Sequence, residues 1–166
     1  MVTGAYILMI KVSSQTETAI GFAGTLAFSP GWYVYVGSAM GQTSTSLFHR
    51  LRRHFSPKTQ KKVHWHIDYL LALEEVALEG AIVGSSPNRM ECKIVEVLCD
   101  RGFVPWGHRF GATDCHQCPS HLFFIRESLR DDEELMALLM PLLRDNFTDT
   151  LWISYSTIDD LNRIAI

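Results

Sequence analysis

The chain has 166 residues, 47% of them hydrophobic and 20% charged, enough apolar side chain for one domain with its own core and too much for a disordered polymer. No apolar run approaches the roughly 18 to 20 residues of a membrane helix, and no basic stretch precedes a cleavable apolar segment at the N-terminus, so the expectations are a cytoplasmic location and no membrane partner. The net charge of −3 disfavours a polyanion partner unless the cations are concentrated locally.

GAYILMIKV at residues 4–12 is rich in strand formers and runs into the polar turn SSQTET. AIGFAGTLAF (19–28) and GWYVYVGS (31–38) follow as two more strands, and the short polar links predict a three-stranded antiparallel meander. Alternation within the last places Tyr33 and Tyr35 on one face and Trp32 and Val34 on the other.

A helix is expected next, opened by a hydroxyl residue of TSTS and running through LFHRLRRHF, with Leu47, Phe48, Leu51 and Phe55 as its apolar stripe. Arg50 and His54 border that stripe, while Arg53 should point to solvent. Here the charge becomes local: from His49 to Ile67 there is no acidic residue, and Arg50, Arg52, Arg53, Lys58, Lys61 and Lys62 are all cationic. Such a patch attracts polyanions, although a solvated basic helix would look the same.

HWHIDYLLAL then reads as a short helix, with Asp68 a local hydrogen-bond acceptor or cap, and VALEGAIVG as a strand. NRMECKIVEVLCDRG reads as a second long helix in which Asn88 and Glu91 have capping-box spacing, Met90, Ile94, Val97 and Leu98 face inward, and Glu96 faces away. In the tail, RESLRDDEELMALLMPLLRDN predicts a helix capped by Asp131 or Asp132 and kinked or ended by Pro141. LWISY is a candidate strand and STIDDLNRI a final helix; the tail carries no evident chemistry. The fold class expected is α/β of the α+β kind, a small central antiparallel sheet flanked by helices. Residues 1–126 form the main unit, and 127–166 are an extension packed on the same domain.

The ordered set of GAY at Gly4 to Tyr6, YVG at Tyr35 to Gly37, a helix bearing Arg50 and a helix bearing Glu91 resembles the GIY-YIG nuclease superfamily. GWYVYVGSAMG, RLRRHF, HWHIDYLL and FGATDCHQCPSHLFF are similar to a largely prokaryotic branch of it, over residues 4–126. The resemblance implies divalent-metal-dependent cleavage of a phosphodiester, with DNA as partner. By it, Tyr6 or Tyr35 would orient or deprotonate a water, Arg50 would bind the phosphate, and Glu91 would hold Mg²⁺ or Mn²⁺, a cation satisfied with one carboxylate and several waters. Gly37 would let backbone approach substrate or the helix behind it, beside Ser38. His54, His64 and His66 are candidates for phosphate contact or for relaying a proton from Tyr35, and Arg53, Lys61 and Lys62 for binding the DNA backbone. The polar Asn that other members place after the glutamate helix has no clear counterpart; FGATDC stands there.

DCHQCPSH is a separate matter. Cys115, Cys118 and His121 have CxxCxxH spacing, three zinc ligands that would need a fourth such as Cys92 or Asp114; reduced buried thiols, or a thiol nucleophile with His121 as base, fit the same residues. The reading of the whole is a structure-selective endonuclease of repair or recombination, since no helix offers an evident set of base-edge readers. The alternatives are a non-catalytic nucleic-acid-binding module of the same fold and a zinc or thiol protein.

Overall fold

A computed structural model describes residues 3–147 and 150–154. A six-stranded sheet carries the molecule, in which every neighbouring pair is antiparallel. Its strands are β1 (Gly4–Val12), β4 (Gly31–Ala39), β5 (Val76–Ser85), β6 (Val104–Pro105), β7 (Leu122–Ile125) and β8 (Thr150–Ser154), in the order β6-β7-β4-β1-β5-β8. The two missing numbers, β2 (Thr16–Ala19) and β3 (Thr25–Phe28), pair only with each other.

This corrects the expected meander. The antiparallel sheet flanked by helices is present, but its middle strand is not: β1 pairs directly with β4, Val12 opposite Gly31 through Gly4 opposite Ala39. AIGFAGTLAF breaks at Gly21 and Gly24, whose φ of 47° and 78° bracket a 3₁₀ turn at Gly21–Ala23, and the chain folds back there as a separate hairpin.

Helices cover both faces, which is why β1 and β4 read as continuous apolar runs rather than alternating ones. On one face α1 (Leu47–His54) and α2 (His66–Leu71) bring Leu47, Leu51, Ile67 and Leu70 onto Tyr6, Leu8, Ile10, Tyr33 and Tyr35. On the other, α3 (Glu91–Asp100) and α4 (Asp132–Arg144) bring Ile94, Leu98, Leu135 and Leu139 onto Ala5, Ile7, Met9, Val34 and Val36. Ser46 caps α1, its Oγ accepting from the His49 N–H at 3.5 Å, and Asp131 caps α4, accepting from the Glu134 N–H at 3.0 Å. Pro141 neither ends α4 nor stops it short, since the helix runs on to Arg144. β8 extends the sheet along β5; the predicted final helix STIDDLNRI lies outside the described residues. Among the described residues no helix is long and apolar enough to cross a membrane.

Candidate active site

Strand register brings the two tyrosine motifs together. Tyr6 lies opposite Gly37 in the β1–β4 pair and Tyr35 opposite Leu8, so both rings leave the face covered by α1. With Arg50 and His54 of α1, Trp65, Glu91, His121 and the loop Gly111–Asp114, they line one pocket of about 150 Å³. Gly37, Ser38, Met40, Ile67 and Arg89 also line it.

The Tyr6 hydroxyl lies 2.9 Å from His54 Nε2, both groups buried. Burial pushes the Tyr6 phenol up to about 12, against the pull of the neighbouring Arg50 guanidinium. Burial, reinforced by Lys61, Arg50 and Arg53, holds His54 down at about 3. Both are therefore neutral near pH 7 and share one hydrogen bond, whose donor is set by the imidazole tautomer. The predicted relay partner is thus corrected: His54 meets Tyr6, not Tyr35. The Tyr35 phenol is also pushed up by burial, and its hydroxyl bonds to no described residue. Two residues earlier on the same face, Tyr33 instead closes its hydroxyl on the backbone of Ser29, donating to the carbonyl at 3.1 Å and accepting from the N–H at 3.0 Å.

Two glycines make this arrangement possible. A Cβ on Gly37 would come within 2.5 Å of the Tyr6 hydroxyl, and one on Gly111 within 2.7 Å of the Tyr35 ring. Gly37 therefore leaves room for the phenol across the strand pair, and its backbone also lines the pocket.

Arg50 sits with its guanidinium carbon 4.7 Å from the centre of the Trp65 ring, and its Nε is buried without a hydrogen-bond partner. Arg53 does not point to solvent as the helical projection suggested. Its Nη2 lies 2.6 Å from Asp68 Oδ2 and 2.8 Å from the Lys62 carbonyl, with the guanidinium 4.1 Å from the same indole. The same Oδ2 also accepts from the His64 and Trp65 N–H groups at 3.0 and 2.8 Å, so Asp68 is both cap and counter-ion. The indole and the buried carboxylate, hidden from a one-helix projection, draw Arg53 inward. Lys61 likewise turns in, its ammonium donating to the His54 carbonyl at 2.5 Å and held by burial at about 8. Lys61 and Lys62 do not line the pocket.

Glu91 is the first residue of α3, whose cap is Met90 with no side-chain bond. The predicted capping box is absent, because the helix starts two residues later than that spacing required and Asn88 lies outside it, its N–H donating to Ser86 Oγ at 3.1 Å. Glu91 is thereby free to face the pocket. His66 lies outside the lining; its Nδ1 accepts the Gly111 N–H at 3.1 Å, anchoring the loop packed against Tyr35. His121, proposed with the cysteines, instead lines the pocket with its Nε2 buried and unpartnered, and burial lowers its basicity. The sulfurs that do converge are those of Cys92, Cys115 and Cys118.

Trp65 and Arg89 were missed as site residues. The first was signalled only by its place in WHIDYLL, and the second by being the lone cation just before Glu91.

A family model described as domain of unknown function DUF123 matches residues 5–142. The chain belongs to that family. The match takes in every residue of the pocket and continues through most of α4, so this domain includes the helix that covers the second sheet face. No curated protein and no solved structure matches the chain.

Proposed function

We propose that this DUF123 domain is a divalent-metal-dependent endonuclease of the GIY-YIG type, cutting DNA selected by structure rather than sequence. The observation that carries the reading is the meeting of Tyr6, Tyr35, Arg50 and Glu91, from four separate elements, in one pocket.

Each group suits a part of phosphodiester hydrolysis. Arg50 presents a charged fork to a phosphate, packed against Trp65 and with a buried donor unused; a non-bridging oxygen would satisfy it. Tyr6, hydrogen-bonded to His54, and Tyr35 bring two phenol oxygens to the pocket that could orient the attacking water. With the Tyr6 phenol at about 12 and His54 at about 3, neither takes a proton at rest. Base catalysis by Tyr6 then depends on positive charge gathered around the substrate, which Arg50 already begins to supply. Glu91, with Asp114 also lining the pocket, fits a hard cation that keeps most of its waters. When bound, Mg²⁺ or Mn²⁺ supplies charge against the developing phosphorane oxygens and eases ionisation of water.

The test is cleavage of single-stranded, duplex, flap and branched DNA in Mg²⁺ or Mn²⁺ by wild type, Arg50→Ala and Glu91→Gln. We expect cutting by wild type and a loss of roughly 100- to 1,000-fold in each variant, the scale of removing one charge-stabilising group. Full activity in both variants overturns the site. Binding without cleavage in either metal leaves the non-cleaving module as the reading.

A further inference from the structure

We propose that Cys92, Cys115 and Cys118 form a zinc site, separate from the Glu91 cation site, that ties the first turn of α3 to the loop closing the pocket. Their three sulfur atoms lie within 4.8 Å of one another, with Cys92 and Cys115 Sγ 3.3 Å apart. Zinc–sulfur bonds of about 2.3 Å in a tetrahedron set sulfurs roughly 3.8 Å apart, inside that spread. The Cys92–Cys115 pair thus needs to open by about half an ångström.

The loop is shaped to present them. The Cys118 N–H points at Cys115 Sγ at 3.3 Å, so the CxxC turn curls both sulfurs to one side. Arg109, at a φ of 55°, fastens the loop from beneath by donating to the carbonyls of Ala112 and Cys115, each at 2.9 Å. Cys92 meets them from α3. A cavity of about 340 Å³ alongside, which also reaches Glu91, is lined by Cys92, Cys115, Asp114, His116 and His121, leaving room for a fourth ligand from water or from one of the last three.

Thiolates are soft ligands that select zinc over the hard magnesium and manganese ions suited to Glu91. On binding, each thiol loses its proton to solvent and zinc exchanges three waters for sulfur, with no change of oxidation state. Glu91 immediately precedes Cys92, so fixing the thiol fixes the point where the carboxylate enters the pocket. The proposal does not rest on the nuclease reading, since its readout is metal content.

Protein purified under reducing conditions without chelator is expected to hold one zinc per chain, with three sulfurs and one nitrogen or oxygen in its X-ray absorption shell. Cys92→Ser, Cys115→Ser and Cys118→Ser each lose the stoichiometric metal, and Cys99→Ser, whose thiol lies outside the cluster, keeps it. Should the serine variants fail to fold, cobalt added to metal-stripped wild type gives thiolate-to-cobalt charge-transfer absorption and the strong visible bands of a tetrahedral site. Wild type isolated with no stoichiometric zinc and giving no such absorption overturns the proposal. So does zinc retained by Cys115→Ser, or a Cys92–Cys115 disulfide in the protein as isolated.

Discussion

The pocket and the cationic flank beside it draw on the same stretch of chain, residues 50–68, and treat their polar groups in opposite ways. In the flank, Asp68 accepts from the Arg53 guanidinium and from two backbone N–H groups, Lys58 donates to the Glu74 carbonyl at 3.0 Å, and Lys61 donates to the His54 carbonyl. In the pocket, Arg50 Nε, His54 Nδ1 and His121 Nε2 are buried with no partner among the described residues. Folded proteins rarely leave such groups unpaired. The flank has spent its charge on structure, while the pocket holds polar groups for something that arrives from outside. Arg53 marks the border, with Nη2 bonded twice and Nε left over.

The largest effect separating the two regions is expected at Asp68. Asp68→Ala strands a mostly covered guanidinium and two N–H groups together, a loss of about 3 kcal/mol in chemical unfolding. Arg50→Ala, which removes a guanidinium that leans on Trp65 and on the Tyr6 hydroxyl but ties down no backbone group, should change stability by about 1 kcal/mol. Equal losses in the two variants would erase the distinction.

Next comes Gly37→Ala. The added methyl overlaps the Tyr6 phenol, whose ring is fully enclosed, and overpacking of this kind costs about 2 kcal/mol. Because the displaced group is the one bonded to His54, cleavage should fall further than the fraction of folded protein does. Activity that simply tracks folding would make Gly37 a packing residue alone.

His54 gives a third handle, through pH. Its folded value of about 3 lies below the 6.5 of the unfolded chain. Above pH 6.5 it is neutral in both states and costs nothing. As pH falls from 6.5 towards 3, the unfolded state gains a proton that the folded state refuses, and stability drops by up to about 1.4 kcal/mol per pH unit. His66 and His121 are shifted in the same direction, so His54→Gln should flatten the acid limb by close to one proton without abolishing it. Urea titrations across that range read the slope, and an unchanged slope would place solvent at the imidazole.

Strand periodicity and helical stripes carried much of the architecture in the sequence: β1, β4, β5, α1, α2, α3 and α4 all fall where apolar spacing puts them. Local pattern could not say which strands pair, so a glycine-broken segment that alternates well enough for a strand was placed in the sheet when its second half pairs with Thr16–Ala19, largely within the stretch read as a polar turn. The pocket residues were legible as an ordered set of motifs. The inward turn of Arg53, the freedom of Glu91 and the replacement of His121 by Cys92 in the thiol cluster were not. Each depends on a neighbour distant in sequence: Asp68 fifteen positions from Arg53, or Cys115 twenty-three from Cys92.

The smallest expected effect concerns how much of the basic stretch remains for DNA. Of its six cations, Arg53, Lys58 and Lys61 are engaged with protein partners and Arg50 faces the pocket, leaving the exposed Arg52 and Lys62 to meet a backbone outside it. Lys62→Ala should leave stability within about 0.5 kcal/mol of wild type. Its affinity loss should be uniform across substrates, and the slope of log K against log salt should shrink by about one phosphate contact. Lys58→Ala should leave that slope where it was. If the two lysines behave alike, the flank still faces DNA as a single patch, and the contrast between spent and held charge fails at its weakest point.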